Sequence, residues 1–510
     1  MQMGSLFKMN ITSCSPAAIQ TPAVFGAEIL SLSASWVTNY TLNVPAGFNY
    51  NHGDVEVRNA QFCNITVTYT HPGYNDQIIV ETWLPPRTKW NGRLQATGGG
   101  GWQAGRFVLS QFFMSGAIGE GYAATTTDAG LGDAVGPSSW ALQSPGNVDY
   151  VAFNNLGSRS LNDQAIIGKS LANSFYGRAP DYAYWSGCSQ GGRQGLMLAQ
   201  RYPTAYDGIV ASAPAQSWTK FVSALYYPLL MRQWHEVNPL ACELDFLTTE
   251  AVAACDAKDG IVDGLISNLT ACDYSPYTSV NKTFTCSALN KTMALSPGAA
   301  LIADAAWSGP QTADGERLWY GVNPGADISQ FGSVPGVNSS QSDMWFNLFV
   351  AKNASFDTIH MSPEVYEEFF HLGTQEYAST INAADPDLTA FRKAGGKLLT
   401  YHGMADESIP TKGTEFYYKS VQNQFPDVQD FYRYFESPGL GHCSGGQGGQ
   451  PTTIFDALRR WVENGTAPET LPVEYGRPEG EPLHRIVCPY PAQAKYMGGD
   501  ISSAESFRCV

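Results

Sequence analysis

A serine flanked by glycines, in the G-x-S-x-G pattern of residues 187–191, is the first candidate for chemistry in this sequence. It follows an apolar and aromatic run at 181–185 and precedes a predicted helix at 193–201. Strand, sharp turn and helix in that order make a nucleophile elbow, which exposes a serine hydroxyl to a carbonyl carbon. The glycines let the strand and helix approach each other around a strained turn residue. Ser189 is therefore the candidate nucleophile of an acyl-transfer reaction.

A serine hydroxyl attacks only when a base takes its proton and a third group holds that base. In α/β-hydrolases the chain order is Ser, then Asp or Glu, then His, with the last two at the ends of late strands. Asp406 follows one predicted late strand and His442 follows the last one, with glycines near both. Glu407 is the nearest alternative to Asp406, which stands closer to its strand end. The predicted triad is Ser189, Asp406 and His442.

Cysteines adjoin two members of this triad. Cys188 immediately precedes Ser189, and Cys443 immediately follows His442. If the serine and histidine side chains are within hydrogen-bonding reach, the two sulfurs are close enough to bond. Such a bridge closes a loop of about 255 residues and would contribute on the order of 5 kcal/mol in the chain-entropy model. A thiol protease with Cys188 as nucleophile is a poorer interpretation, because the serine takes the central place of the elbow.

An oxyanion hole requires backbone N–H groups that point at the developing negative charge. One should come from Gln190, the residue after the nucleophile, and the other from the loop after the third predicted strand. That loop is the glycine run 98–101, in which Gly100 or Gly101 is the predicted donor. A phosphate-binding loop is the alternative interpretation of this run, and it fails because no Lys-Ser/Thr follows.

The elements that must position these residues form an α/β pattern. The first two predicted strands are expected to pair antiparallel across a turn, and the later ones to pair in parallel. Residues 1–60 show no strong helical period. Strands are predicted over 64–70, 77–83, 93–97, 122–127, 181–185, 208–213, 397–403 and 431–435, and helices over 153–176, 193–201 and 453–462.

Residues 217–393 differ in composition from the rest of the chain. They are rich in aromatic residues and sequons, include four cysteines, and show little of the alternation of apolar and polar residues that is typical of strands. A connection of this length between neighbouring strands is improbable as a loop and plausible as an inserted domain. The expected architecture is therefore an α/β-hydrolase fold with a large inserted lid domain. Residues 1–216 and 394–510 would form the catalytic domain, and 217–393 the lid over the active site.

An acidic segment at 255–265 carries three carboxylates within eight residues, Asp256, Asp259 and Asp263. Hard oxygen ligands at such spacing suit calcium, which takes six to eight of them. The segment is not an EF-hand loop, because no glutamate stands at the twelfth position. A solvated acidic turn is the alternative interpretation, and the spacing alone does not decide between the two.

The sequence has 510 residues and a formal net charge of -16, from 30 Lys and Arg against 46 Asp and Glu. This balance disfavours nucleic acid or an anionic membrane as a partner. No window approaches the roughly eighteen uninterrupted apolar residues that span a bilayer. The sequence gives no indication of oligomeric state.

Ten cysteines without C-x-x-C pairs favour disulfides over a zinc site. Nine sequons accompany them, and together these features predict a secreted glycoprotein. Residues 1–10 lack the apolar region of a signal peptide, so either the signal has been removed or the protein is not secreted. The sequons lie at Asn10, Asn39, Asn64, Asn268, Asn281, Asn290, Asn338, Asn353 and Asn464.

Taken together, these residues resemble the tannase and feruloyl esterase family of secreted fungal serine esterases. The resemblance spans nearly the whole chain, and its most specific element is the arrangement of Cys188-Ser189, Asp406 and His442-Cys443. It implies a structural calcium ion in the lid, held by side chains of Asp256, Asp259 and Asp263 and carbonyls of Ile261 and Leu265. It also implies the disulfides Cys14–Cys63, Cys255–Cys272, Cys242–Cys286 and Cys488–Cys509.

The resemblance implies hydrolysis of feruloyl or other hydroxycinnamoyl esters of plant cell-wall polysaccharides, through a serine acyl-enzyme. A tannase that hydrolyses galloyl esters is the first alternative. A non-catalytic hydrolase fold used for binding is a third, which the presence of all three triad residues disfavours. In the first two cases the expected partner is a small aromatic ester or a feruloylated polysaccharide.

Overall fold

A nine-stranded mixed sheet forms the centre of the protein in the computed structural model, which describes residues 13–333, 344–476 and 481–510. Its order across the sheet is β1-β2-β3-β5-β4-β6-β7-β8-β9. In chain order the strands are β1 Glu28–Val44, β2 Val55–Thr70, β3 Ile78–Leu84, β4 Arg93–Thr97, β5 Ala123–Thr127, β6 Tyr182–Cys188, β7 Gly208–Ser212, β8 Lys397–Gly403 and β9 Tyr432–Ser437.

The sheet is antiparallel on one side and parallel on the other. Strands β1, β2, β3 and β5 pair antiparallel in that order, as predicted for β2 with β3. From β5 through β4 and β6 to β9 every pair is parallel. Because parallel strands end at the same edge of a sheet, the loops that follow β4, β6, β8 and β9 meet there.

Strand β1 was not predicted, because its alternation of apolar and polar residues is interrupted. Its register against β2 shifts between Ile29 and Ser31, between Val37 and Tyr40, and between Tyr40 and Leu42. Each irregularity changes which residues of the strand face inward, so apolar and polar residues do not alternate regularly along its whole length. The eight predicted strands all lie in the sheet, with ends that differ by a few residues, except that β2 begins nine residues earlier.

Helices cover both faces of the sheet and bury separate hydrophobic clusters there. Successive strand residues point to opposite faces, so Trp185 joins one cluster and Tyr184 the other. The longer helices are α1 Val108–Gly119, α2 Ser160–Tyr176, α3 Gln190–Arg201, α4 Trp218–Trp234, α5 Ala241–Cys255, α6 Pro297–Ser308, α7 Pro363–Ile381, α8 Thr411–Gln424 and α9 Ile454–Asn464. None within the described ranges is long and apolar enough to cross a membrane.

Shorter elements complete the chain. The predicted helix over 153–176 is three pieces, Tyr150–Asn154, a π-helical turn Asn155–Arg159, and α2. A second π-helical turn, Trp345–Val350, and a short helix, Thr389–Lys393, precede β8. The small antiparallel ribbons are Leu142–Ser144 with Asn147–Val148, Thr283–Cys286 with Lys291–Ala294, Leu471–Tyr475 with Leu483–Val487, and Ala494–Tyr496 with Phe507–Cys509.

The long connection between the neighbouring strands β7 and β8 contains helices α4 to α7. Part of it has its own core, in which Leu244 and Leu247 of α5 pack with Ile302 of α6. The rest shares a cluster with the body of the protein, where Trp218 and Phe349 contact Trp102. The inserted segment therefore packs directly on the loop that follows β4.

Ten cysteines form five disulfides, and no described cysteine is free. All five pairings are those expected from the sequence and the family resemblance. They are Cys14–Cys63, Cys188–Cys443, Cys242–Cys286, Cys255–Cys272 and Cys488–Cys509.

Candidate active site

Ser189 stands in a strained turn between β6 and α3. Its φ of 63° is positive, which a residue with a side chain adopts only where its surroundings impose it. The strand comes very close to the helix here, since a Cβ atom on Gly187 would lie 2.5 Å from the carbonyl of Gly191. The Ser189 N–H donates to the carbonyl of Ser212 on β7, at 3.0 Å. The turn is thereby fixed to the neighbouring strand.

The three residues of the predicted triad lie in one hydrogen-bonded row at the carboxyl edge of the sheet. Ser189 Oγ is 2.9 Å from His442 Nε2, and His442 Nδ1 is 2.8 Å from Asp406 Oδ2. Ser189 follows β6, Asp406 follows β8 and His442 follows β9. This is the geometry in which an imidazole can take a proton from a serine hydroxyl while a carboxylate fixes its tautomer.

Asp406 is held by four donors and is completely buried. Its Oδ1 accepts from the backbone N–H groups of Ser408 and Ile409, at 2.8 and 2.7 Å. Its Oδ2 faces two imidazoles, that of His442 and that of His402, whose Nε2 lies 3.0 Å away. His402 was not singled out from the sequence. The only signal for it there is its place inside the predicted strand, four residues before the acid.

Glu407, the alternative acid, has a different contact. Its Oε2 accepts a hydrogen bond from the backbone nitrogen of His442, at 3.1 Å, rather than from the ring. Two adjacent carboxylates therefore hold His442. Asp406 binds its imidazole ring, and Glu407 binds its backbone N–H.

The charges of this site favour a proton on His442. Burial alone would lower the pKa of His442, but the charge of Asp406, its hydrogen bond and the charge of Glu407 raise that pKa overall. Desolvation opposes ionisation of Asp406, yet the two histidines hold the pKa of its carboxyl well below the usual range. Burial and the charge of Asp406 raise the pKa of Glu407. An ionised Asp406 is thus available to stabilise an imidazolium on His442.

The disulfide Cys188–Cys443 joins the residue before the serine to the residue after the histidine, with Cα atoms 6.0 Å apart. Cys443 has a positive φ of 63°, and its carbonyl accepts from the Tyr401 hydroxyl at 2.8 Å. The bridge connects the loops after β6 and β9. Because Cys188 carries no free thiol, it cannot serve as the nucleophile of a thiol protease.

The glycine run after β4 lies against the start of α3. The carbonyl of Gly99 accepts from the N–H of Gly191 at 3.1 Å. The N–H of Gly100 donates to the carbonyl of Gln103 at 3.1 Å, which removes it from the predicted oxyanion donors. The N–H of Gly101 has no acceptor among the described residues, and Gly101 is one of the residues that line the cavity beside Ser189. Of the two predicted glycines, only Gly101 remains as a donor.

Gln190, the other predicted donor, is held by a buried arginine. Arg193 Nε donates to Gln190 Oε1 at 2.6 Å, and the rest of its guanidinium donates to the carbonyls of Leu156, Gly157 and Ile381. Gln190 begins α3, where backbone N–H groups lack acceptors within the helix. Arg193 therefore fixes the residue whose N–H would face an oxyanion.

A cavity of about 590 Å³ opens beside Ser189 and His442. One wall is a single face of α4, from the inserted segment, with apolar side chains at helical spacing. These side chains are Trp218, Phe221, Val222, Leu225 and Leu229. The other walls include Phe107, Ile409 and Phe331, and no described lining residue is Lys, Arg, Asp or Glu. The cavity therefore suits an uncharged, largely apolar group.

The loop between β1 and β2 contributes residues that the sequence did not indicate. Tyr50 lines the cavity and packs against the Cys188–Cys443 disulfide. The buried Asn51 side chain donates to Ser186 Oγ at 2.9 Å and accepts from Ser212 Oγ at 2.6 Å. It thus connects β6 and β7 at the edge that carries Ser189. No strand or helical period marks this loop in the sequence.

Comparison with known proteins identifies the family. The family model described as tannase and feruloyl esterase matches residues 63–510. The chain belongs to the tannase and feruloyl esterase family. Family members of both kinds are carboxylic ester hydrolases, and this chain is an enzyme of that class.

Individual relatives of this family member agree with that assignment. A probable feruloyl esterase from Arthroderma benhamiae is 36% identical over 97% of this chain and 93% of its own. A mono(2-hydroxyethyl) terephthalate hydrolase from Piscinibacter sakaiensis is 30% identical over 86% of this chain and 82% of its own. The solved structure of tannin acyl hydrolase from Aspergillus niger has a TM-score of 0.86 and 28% identity, covering 98% of this chain and 95% of that one.

In this family member the acidic segment after α5 closes on itself through Asp256. Both oxygens of that carboxylate accept backbone N–H groups, from Asp263 at 3.0 Å and Gly264 at 2.9 Å. Burial and the charges of the other two aspartates raise the pKa of Asp259. No group of three or more His, Cys, Asp or Glu side chains converges as a metal site within the described residues.

One oxygen of the acidic segment nevertheless lacks a partner. Asp263 Oδ2 accepts from Arg485 at 3.0 Å, whereas the buried Oδ1 has no hydrogen bond among the described residues. Asp259, Ile261 and Leu265 line a cavity of about 70 Å³ with it. An orphaned carboxylate oxygen beside further oxygen donors has the chemistry that a hard cation requires.

The sequons differ in accessibility. Asn39, Asn281, Asn290, Asn353 and Asn464 are exposed. Asn64 and Asn268 are half-buried, and the side-chain nitrogen of Asn64 donates to Glu81 at 3.2 Å. Asn10 and Asn338 lie outside the described residues.

Proposed function

We propose that the chain is a serine carboxylesterase that hydrolyses feruloyl and other hydroxycinnamoyl esters of plant cell-wall polysaccharides. The observation that carries the proposal is the row Ser189 Oγ, His442 Nε2 and Asp406 Oδ2, at 2.9 and 2.8 Å, at the mouth of an uncharged aromatic cavity. In this proposal the fold is an α/β-hydrolase, residues 1–216 and 394–510 form the catalytic domain, and residues 217–393 form the lid.

The mechanism follows from the atoms in that row. His442 takes the proton of Ser189 as its oxygen attacks the ester carbonyl, and Asp406 stabilises the imidazolium that results. The N–H groups of Gln190 and Gly101 would hold the oxyanion. His442 then gives its proton to the alcohol oxygen as the ester bond breaks, which leaves an acyl group on Ser189. Water, activated by the same imidazole, releases the aromatic acid.

The cavity supports a neutral aromatic acyl group. Trp218, Phe221 and Phe331 offer flat apolar contact to a ring. A galloyl ring carries three hydroxyl groups that would need partners in this mostly apolar wall. The acyl group of a terephthalate half-ester carries a free carboxylate with a negative charge, and the described lining contains no Lys or Arg to pair with it. A hydroxycinnamoyl group, with one or two hydroxyls and an apolar arm, fits this chemistry best.

Tannase is the second candidate. The observation that favours it is the TM-score of 0.86 to a tannin acyl hydrolase. In that case the polar side chains of Tyr50, Gln103, Gln330 and Ser408 in the lining would meet the hydroxyls of a galloyl ring. A non-catalytic binding role is disfavoured, because the hydrogen-bonded row is complete.

Substrate comparison tests the choice. Purified protein would be assayed on methyl ferulate, methyl caffeate and methyl gallate, and ferulate and caffeate are expected to give the larger kcat/KM. Turnover of gallate alone would overturn the first choice in favour of tannase. Ser189→Ala should remove activity toward all three, and unchanged turnover in that variant would refute the mechanism.

We also propose that calcium stabilises the inserted segment. Asp256, Asp259 and Asp263, with the carbonyls of Ile261 and Leu265, would hold the ion, and the orphaned Asp263 oxygen supports this. When bound, the ion would neutralise this cluster of like charges.

Elemental analysis should then find about one calcium per chain, and prolonged chelation should lower the melting temperature. Asp259→Asn should reproduce the effect of chelation, whereas Asp273→Asn, at a carboxylate that is 84% exposed, should not. Absence of calcium together with an unchanged melting temperature would remove the site.

An extracellular location is part of the proposal. Five disulfides persist in oxidising compartments, and five exposed sequons are open to glycosylation. Expression in a secreting fungal host should yield protein that loses mass on treatment with an N-glycosidase. Protein found only inside the cells, with unchanged mass, would contradict this.

A further inference from the structure

His402 is a second buried histidine beside the proposed catalytic acid. It is the penultimate residue of β8, just before the loop that carries Asp406, and its side chain has no exposed surface. Its Nε2 is 3.0 Å from Asp406 Oδ2 and 3.1 Å from the carbonyl of Ile409. Its Nδ1 is 2.9 Å from the hydroxyl of Thr414 on α8. Every polar atom of the ring therefore has a partner.

The partners define the protonation of this ring. A carboxylate and a carbonyl can only accept hydrogen bonds, so Nε2 must carry a hydrogen. A threonine hydroxyl can donate as well as accept, so Nδ1 needs no hydrogen to be satisfied by Thr414. An imidazole that carries its hydrogen on Nε2 alone therefore satisfies all three partners.

We propose that His402 is a positioning residue for ester hydrolysis. Its neutral Nε2–H fixes the rotation of the Asp406 carboxylate, so that Oδ2 stays directed at His442 Nδ1 through both proton transfers. The proposal rests on the assigned roles of Ser189, His442 and Asp406, but not on the identity of the acyl group.

The carboxylate needs this second donor because its two oxygens are not equivalent. Oδ1 is fixed by the backbone N–H groups of Ser408 and Ile409, which lie in the same loop as the acid. Oδ2 would otherwise depend on His442 alone, which changes its protonation during each turnover. His402 gives Oδ2 a donor that is anchored on the sheet and on α8. It also donates to the carbonyl of Ile409, which lines the cavity.

A neutral donor suits this place better than a cation would. A full positive charge at His402 would compete with His442 for the charge of Asp406 and weaken His442 as a base. An uncharged N–H orients the carboxylate and leaves most of its charge to the imidazolium. In this proposal the hydroxyl of Thr414, 2.9 Å from Nδ1, donates to that nitrogen.

Two substitutions at the position separate donation from packing. His402→Gln places an amide N–H near the position of Nε2, whereas His402→Leu fills the space without a donor. We expect kcat to fall by about 10- to 100-fold in the leucine variant, as for an unsatisfied buried acceptor, with KM changed less than about threefold. The glutamine variant should stay within about fivefold of the parent.

The assay uses p-nitrophenyl acetate, and kcat is calculated per active site counted with a phosphonate probe that labels Ser189. Counting sites excludes a loss due only to unfolding. Unchanged kcat per site in His402→Leu would overturn the proposal, and so would equal losses in the leucine and glutamine variants. Parent protein that cleaves this ester but not methyl ferulate would refute the feruloyl assignment while leaving this test intact.

A third variant applies if His402→Leu does not fold. Thr414→Val is nearly isosteric and removes only the hydroxyl that meets Nδ1. We expect kcat per site to fall by about fivefold with KM unchanged, because the tautomer is no longer held. Unchanged kcat in this variant would refute the role of the tautomer.

Discussion

The side chain of Glu407 accepts a hydrogen bond from the backbone nitrogen of His442, at 3.1 Å, and not from its ring. Its neighbour Asp406 does the reverse and reaches Nδ1 at 2.8 Å. One carboxylate thus fixes where the histidine stands, and the other fixes how its ring is turned and charged. The sequence only favoured Asp406 over Glu407 as the acid of the triad, whereas their contacts with His442 give the two carboxylates different roles.

Substitution of the two acids should give different losses. Asp406→Asn leaves no negative charge for the imidazolium and offers His442 a different partner, so kcat should fall by about 10³- to 10⁴-fold. Glu407→Gln keeps an oxygen for the backbone N–H of His442, so kcat should fall by less than about tenfold. Steady-state kinetics on one aromatic ester measures both. Equal losses would contradict the division of roles.

The pH dependence of kcat/KM should follow His442. The imidazole accepts the serine proton only when it is neutral, so activity must rise as pH passes the pKa of His442 in the free enzyme. Because Asp406 and Glu407 raise that pKa, the acidic limb is expected above the ordinary value of 6.5. Glu407→Gln removes one of the charges and should move the limb to lower pH. A limb below 6.5 in the parent, or one unmoved in the variant, would refute the electrostatic account.

Removal of the Cys188–Cys443 bridge should reduce both stability and turnover. It spans 255 residues, and replacing both cysteines by alanine should lower the free energy of unfolding by up to about 5 kcal/mol in the chain-entropy model. Because the bridge joins the neighbours of Ser189 and His442, kcat should fall at least about tenfold at a temperature where the variant is folded.

Cys488–Cys509 provides the matched control for that experiment. It spans 21 residues near the end of the chain, so its removal should cost about 3 kcal/mol of stability. It joins no residue next to Ser189, Asp406 or His442, so kcat of the folded variant should match the parent. Chemical denaturation and kinetics of both double variants would decide, and equal kcat losses would show that the first bridge has no special role in the site.

The triad was predictable because topology converts chain order into position. Ser189, Asp406 and His442 each follow an apolar run, and parallel strands place all such loops at one edge. The Cys188–Cys443 bridge could be predicted from the triad, because Cys188 adjoins Ser189 and Cys443 adjoins His442. The motif around each residue is local in the sequence, and the strand order alone then places the three residues together in space.

The remaining features depend on contacts that leave no local pattern. Strand β1 is irregular, so its period is hidden. Tyr50 and Asn51 reach the site from a loop more than a hundred residues before Ser189, through hydrogen bonds and packing that no spacing encodes. His402 looked like an ordinary strand residue. The sequence could not choose between Gly100 and Gly101 as the oxyanion donor. The choice depends on a turn in which the N–H of Gly100 donates to the carbonyl of Gln103.

Glu436 on β9 carries a testable consequence for stability. Its carboxyl accepts a hydrogen bond from the Tyr434 hydroxyl at 3.1 Å. Burial, followed by the charge of Glu415, raises the pKa of Glu436 to about 7, from the ordinary 4.5. The folded chain therefore binds a proton at Glu436 that the unfolded chain has already released across this range of pH.

Stability should consequently fall as pH rises between about 4.5 and 7, by at most about 3 kcal/mol from this group. Glu436→Gln imitates the protonated form, so it should be near-neutral at pH 4 and stabilising by about 2 kcal/mol at pH 8. Urea denaturation at both pH values measures the difference. Glu368→Gln, at an exposed carboxylate of α7, is the control. An equal effect of Glu436→Gln at the two pH values would show that the pKa of this carboxyl does not differ between the folded and the unfolded chain.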